Sequence, residues 1–121
     1  MFEVTIQESF AAAHFLREYK GKCENLHGHN YQVKVSIRTK NLDKIGLSID
    51  FSLAKKYLKT VLEELDHINL NDLLFFKENN PSAENIAKYI YFKYKKLLPK
   101  QATINKVTIW ETENNAVSYW E

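Results

Sequence analysis

An α+β fold, with a four-stranded antiparallel sheet carrying two helices on one face, follows from three features of the sequence. Apolar and polar residues alternate near both ends of the chain, as they do on half-buried strands. In the middle the apolar residues recur at helical spacing. The two kinds of segment are segregated rather than interleaved, giving the order ββααββ, which argues for α+β over a parallel α/β sheet.

Phe2, Val4 and Ile6 alternate with Glu3, Thr5 and Gln7, and the same parity continues through Phe10 and Ala12 to His14. His14 is therefore expected on the apolar face. Residues 17 to 22 are polar, include Gly21 and read as a loop. A second strand begins near His29 and runs to about Thr39, with Tyr31, Val33, Val35 and Ile37 on one face. His27 and His29 share that parity. Antiparallel pairing would bring His14, at the end of one strand, beside His27 and His29 at the start of the next.

After a turn over residues 41 to 46, Leu53, Ala54, Tyr57, Leu58, Val61, Leu62 and Leu65 mark a helix from Phe51, capped by Asp50 or Ser52. Residues 66 to 72 form a loop. Asn80-Pro81 signals a turn, Ser82 a second cap, and Glu84 lies in the favourable first turn. Ile86, Ile90, Tyr94, Leu97 and Leu98 share a face of that second helix, which stops at Pro99. Strands from about Thr103 to Glu111 and from about Ala116 to Glu121 follow.

A chain of 121 residues, 45% hydrophobic and 26% charged, is expected to form one domain over residues 1–121. No apolar run reaches membrane-spanning length, and the strand-like N-terminus lacks the features of a signal peptide. No membrane partner and a cytoplasmic location are the expectations. One cysteine forms no internal disulfide and fits a reducing compartment. A net charge of +2 is too small to argue for nucleic acid, and Lys88, Lys93, Lys95, Lys96 and Lys100, mostly on one expected helix, read as a solvated helix face. The open sheet leaves two edges, which invite oligomerisation.

The chemistry concentrates in residues 22 to 31, which hold Cys23 and two of the four histidines. His27 and His29 on one strand face, with His14 from the neighbouring strand, would offer a metal three nitrogens and leave a fourth position open, as in catalytic zinc sites. Any one of them alone would read as an ordinary histidine; three converging favour a metal. Cys23 has three readings: a fourth ligand closing a structural site, a thiolate base or nucleophile, or a buried thiol. Asp66-His67 could form a proton relay beside a thiol. Glu111 shares a strand face with Val107 and Ile109. Either it meets adjacent N–H donors of a guanidine-like ring edge or the strand ends there and it reaches solvent.

Phe10-Ala-Ala-Ala-His14, Cys23-Glu-Asn-Leu-His27-Gly-His29-Asn-Tyr31, Ile49-Asp-Phe51, Leu65-Asp-His-Ile-Asn-Leu70, Pro81-Ser-Ala-Glu-Asn85 and Trp110-Glu-Thr112 together resemble the 6-pyruvoyltetrahydropterin synthase family. The motifs span the chain in the family's order. The three residues between Cys23 and His27 resemble its bacterial 6-carboxytetrahydropterin synthase branch, which feeds queuosine biosynthesis. This resemblance implies a tunnelling fold assembled as a homohexamer from two trimers. It also implies Zn(2+) on His14, His27 and His29, Cys23 as catalytic base, Asp66 and His67 as relay, and Glu111 as anchor of the pterin ring. Ser82 stands where relatives often have threonine in the ring-contacting segment, and keeps the hydroxyl.

The implied lyase reaction converts 7,8-dihydroneopterin triphosphate, a small-molecule substrate, to 6-carboxy-5,6,7,8-tetrahydropterin with loss of triphosphate and acetaldehyde. A pyruvoyl synthase, a folate-pathway relative and a non-catalytic zinc-stabilised binding module are the alternatives. Arg17, Lys20 and Lys22 either meet the triphosphate or are solvated loop charges.

Overall fold

The computed structural model describes residues 1–121, with strands β1 (Phe2–His14), β2 (His27–Thr39), β3 (Ala102–Thr112) and β4 (Asn115–Tyr119). Three helices lie between β2 and β3: α1 (Phe51–Glu63), α2 (Leu74–Glu78) and α3 (Ala83–Leu97). The sheet is antiparallel throughout, in the order β1-β2-β3-β4. The expected order of elements therefore holds, but the helix count of two is corrected to three. The added helix has only five residues, too few for a 3.6-residue period to register, and no element is expected over its segment. Short 3₁₀ turns at Lys22–Glu24 and Leu70–Asp72 escape the sequence for the same reason.

Period-two burial is kept along β1 from Val4 to His14, apart from the half-buried Glu8. No bulge interrupts its pairing with β2, which runs from Phe2↔Thr39 to His14↔His27. That unbroken register carries His14 to the buried face and begins β2 two residues earlier than expected. Tyr31, Val33, Val35 and Ile37 are fully buried opposite Leu58, Ile86 and Ile90 of the helices, in one core cluster. The Tyr94 hydroxyl donates to the Ala54 carbonyl at 2.9 Å and ties α3 to α1 inside that core.

Both long helices start where their caps predict. The Asp50 carboxylate accepts from the Ser52 and Leu53 N–H groups, and Ser82 Oγ accepts from Asn85 N. Each cap satisfies a donor that the helix cannot. Asp50→Ala is expected to lower stability by about 1 kcal/mol in urea melts, without altering the site at the other end of the sheet.

The outer edge of β1 is closed over its second half. Ala13 N donates to the Ile68 carbonyl, His67 N to the Ala11 carbonyl, and Ala11 N to Asp66 Oδ1. Beyond His14 two asparagine amides take the place of a strand: Asn71 both accepts from and donates to the Phe15 backbone, and Asn80 does the same for Arg17. These clips hold the end of β1 against the segment leading into α3 and so fix His14.

Candidate metal centre and active site

His14, His27 and His29 meet where β1 ends and β2 begins, with one ligating atom from each within 4.8 Å of the others. Their rings stand 4.6–5.2 Å apart at steep angles. Strand parity is the cause: His14 pairs with His27, and His29 is one strand repeat further along the same face.

Two of the rings are oriented from behind. His14 Nδ1 lies 2.6 Å from the Pro81 carbonyl and His27 Nδ1 lies 2.7 Å from that of Asn25. A carbonyl only accepts, so Nδ1 carries the proton in both rings and the Nε2 lone pair is free. His14 is 1% exposed, and its Nε2 has no hydrogen-bond partner. An orphaned buried nitrogen facing two other imidazoles is the arrangement a metal would satisfy. Burial holds the pKa values of His14 and His29 below the ordinary histidine value, which keeps both rings in the neutral, ligating form. Three nitrogens around a tetrahedral zinc stand roughly 3.4 Å apart, so small side-chain movements would close this set. The residues fit the ion.

Glu111 reaches the same point from β3. Its carboxylate oxygens lie 4.0 Å from His14 Nε2 and 3.9 Å from His29 Nε2. A register shift in the β3–β4 ladder falls between Trp110 and Thr112 and leaves Glu111 without a β4 partner. Bulges of this kind re-aim a side chain. Of the two alternatives for Glu111, the strand does not simply end in solvent: its side chain is 30% exposed and faces the triad. Glu111 and Ser82 line one cavity of about 250 Å³, with Leu16, Glu84, Asn115 and Val117 around it.

The other sequence candidates are not members of the three-histidine cluster, although His67 shares the lining of one cavity with His29. Cys23, a free thiol, lies half-buried in the first 3₁₀ turn and is not a member of the three-histidine cluster. Its backbone carbonyl accepts from Leu16 N at 2.7 Å, which ties its loop to the end of β1. Asp66 and His67 form the expected pair, with Nδ1 2.9 Å from the carboxylate, but on the outer edge of β1, where the His67 side chain is 81% exposed. His67 also has φ of 58°, a left-handed backbone uncommon outside glycine. Arg17 spends a guanidinium N–H on the Phe76 carbonyl. Lys20 and Lys22 are exposed.

The backbone N–H of Ala11, and then the His67 side chain, hold the Asp66 carboxyl below its ordinary pKa. A carboxyl whose folded pKa is depressed stabilises the fold above its unfolded value, and that contribution disappears as pH falls through the lowered value. Asp66→Asn should therefore destabilise the protein at pH 7 and have a smaller effect near pH 3, as read by urea melts at the two pH values.

Sequence reasoning missed Asn71, Asn80 and the Pro81 and Asn25 carbonyls, which orient the site without contacting a ligand. Tyr31 registers in the sequence only as a core residue.

A family model described as 6-pyruvoyl tetrahydropterin synthase matches residues 3–121. The chain is 38% identical to a protein of Caenorhabditis elegans named putative 6-pyruvoyl tetrahydrobiopterin synthase, over 93% of this chain and 89% of that one. It is 32% identical, over the full length of both, to a Haemophilus influenzae protein named 6-carboxy-5,6,7,8-tetrahydropterin synthase. The solved structure of 6-pyruvoyl tetrahydropterin synthase from C. elegans superposes with a TM-score of 0.88 at 37% identity, covering 100% of this chain and 97% of that one.

Proposed function

This chain belongs to the 6-pyruvoyl tetrahydropterin synthase family, and from that membership we propose that it is a zinc-dependent lyase, converting 7,8-dihydroneopterin triphosphate and one water to 6-carboxy-5,6,7,8-tetrahydropterin, triphosphate and acetaldehyde. The observation that carries this reading is the Glu111 carboxylate standing 3.9–4.0 Å from two of three convergent histidines. A ligand set for a cation beside an acceptor for paired N–H donors suits a guanidine-like heterocycle bearing a hydroxylated side chain. The short spacing from Cys23 to His27 supports the carboxy product. So does the full-length match to the Haemophilus protein of that name. The higher identity to the pyruvoyl-named worm protein favours a second reading, in which triphosphate leaves but acetaldehyde does not.

His14, His27 and His29 would hold the zinc through ring nitrogens, Nε2 in His14 and His27. When bound, zinc supplies a Lewis acid that acidifies nearby hydroxyls and stabilises developing oxyanion charge. Glu111 accepts two adjacent N–H groups of the pterin ring, and Ser82 adds a hydroxyl in the same cavity. Cys23, as thiolate, removes a proton from the substrate side chain. His67 holds its Nδ1 proton against Asp66, so its Nε2 exchanges protons with the departing fragment. The exposure of that pair on the β1 edge supports a site completed between copies, in a cytoplasmic homohexamer of single 121-residue domains. No helix is long and apolar enough to cross a membrane.

Mass spectrometry of the products formed from 7,8-dihydroneopterin triphosphate tests the reading. The carboxy product supports it, and the pyruvoyl product transfers the assignment to the second reading. Unconsumed substrate overturns both in favour of a zinc-stabilised binding module.

A further inference from the structure

Two buried side-chain polar atoms in this protein have no hydrogen-bond partner, and they belong to neighbouring residues: His14 Nε2 and Tyr31 Oη. The two rings meet edge to face at 5.9 Å. An unpaired buried hydroxyl carries a desolvation penalty, and its persistence calls for a use. The triad explains the nitrogen. The phenol is unexplained, because no step assigned to the other site residues uses it.

Tyr31 is fully buried and rigidly placed. Its ring stacks on Phe10 at 4.8 Å and meets His29 edge to face at 5.4 Å. On β3 its counterpart is Glu111: the β2–β3 register ends at Val33↔Ile109 and Gln32↔Trp110, and one further step brings Tyr31 level with Glu111. The phenol O–H is a hydrogen-bond donor, and the register sets it level with a carboxylate. Glu111 itself makes only the two long contacts to histidine nitrogens. A donor without an acceptor thus stands beside an acceptor without a short partner.

We propose that Tyr31 is a positioning residue, whose hydroxyl donates to the Glu111 carboxylate when the triad is loaded and so sets that carboxylate for its ligand. The role rests on the pterin reading only for the identity of that ligand. Holding one carboxylate oxygen fixes the plane of the group, which decides whether two parallel N–H donors can be met at once. Removing the hydroxyl removes no hydrogen bond from the metal-free protein, so the stability of that form should not suffer.

Tyr31→Phe, Glu111→Gln and the double variant, each zinc-loaded, are compared for neopterin affinity by fluorescence quenching, with the melting temperature of each metal-free form measured alongside. Tyr31→Phe should weaken neopterin binding about tenfold, leave the metal-free melting temperature unchanged or raised, and add no further loss to Glu111→Gln. Unchanged neopterin affinity with a lowered melting temperature would make the hydroxyl structural and overturn the proposal. So would equal losses with and without the Glu111 carboxylate. If the unaltered protein binds no neopterin, the pterin reading fails, and a crystal structure of the zinc-loaded protein decides the contact alone. Oη within about 3.5 Å of a Glu111 oxygen supports it, and a longer separation overturns it.

Discussion

Cys23→Ala is expected to lower turnover by roughly 10²–10⁴-fold while leaving zinc content intact and stability within about 0.5 kcal/mol. The thiol stands outside the three-histidine cluster and is only half-buried, so its loss removes neither a ligand from that cluster nor a core side chain. What it removes is the group proposed to take the substrate proton. A closed structural site with Cys23 as fourth ligand makes the opposite forecast, in which zinc content and melting temperature fall together. Metal analysis and a melting curve on the same preparation separate the two, and a variant that keeps both zinc and turnover would remove Cys23 from the mechanism.

His14→Ala is expected to act on the metal and on the fold at once. It deletes one nitrogen of three and so should abolish stoichiometric zinc after dialysis. It also empties a buried site and strips the Pro81 carbonyl of its donor, for a combined loss on the order of 3 kcal/mol in the metal-free protein. His27→Ala serves as the comparison: its ring is half-buried, and its partner carbonyl on Asn25 is two residues away in an exposed segment. That variant should lose zinc with little loss of metal-free stability. Full zinc retention in either would contradict the assigned triad.

These expectations rest on features of unequal legibility. The convergence of the three histidines is readable from the sequence because β1 has no bulge before His14, and period-two parity therefore survives from Val4 to His14. The caps at Asp50 and Ser82 are readable because they act within three residues of themselves. Glu111 is harder: its aim toward the triad accompanies a bulge between Trp110 and Thr112, and parity alone is silent on bulges. The edge-closing role of residues 66 to 68 and the paired amides of Asn71 and Asn80 depend on contacts across more than fifty residues. No local pattern announces them. The short α2 lies below the length at which periodicity can speak.

The position of the Asp66-His67 pair bears directly on function. The pair lies on the outer edge of β1, on the far side from β2, and that edge is closed only from Ala11 onward. The rest of the edge is free to receive a strand. A copy docked there would lie beside His67, as the proposed hexamer requires.

The ratio of acetaldehyde to triphosphate released during turnover of 7,8-dihydroneopterin triphosphate tests the proposed reaction most directly. Breaking the side-chain carbon–carbon bond in every turnover predicts equimolar release of the two. Triphosphate released without acetaldehyde would contradict the carboxy assignment and establish the pyruvoyl product in its place.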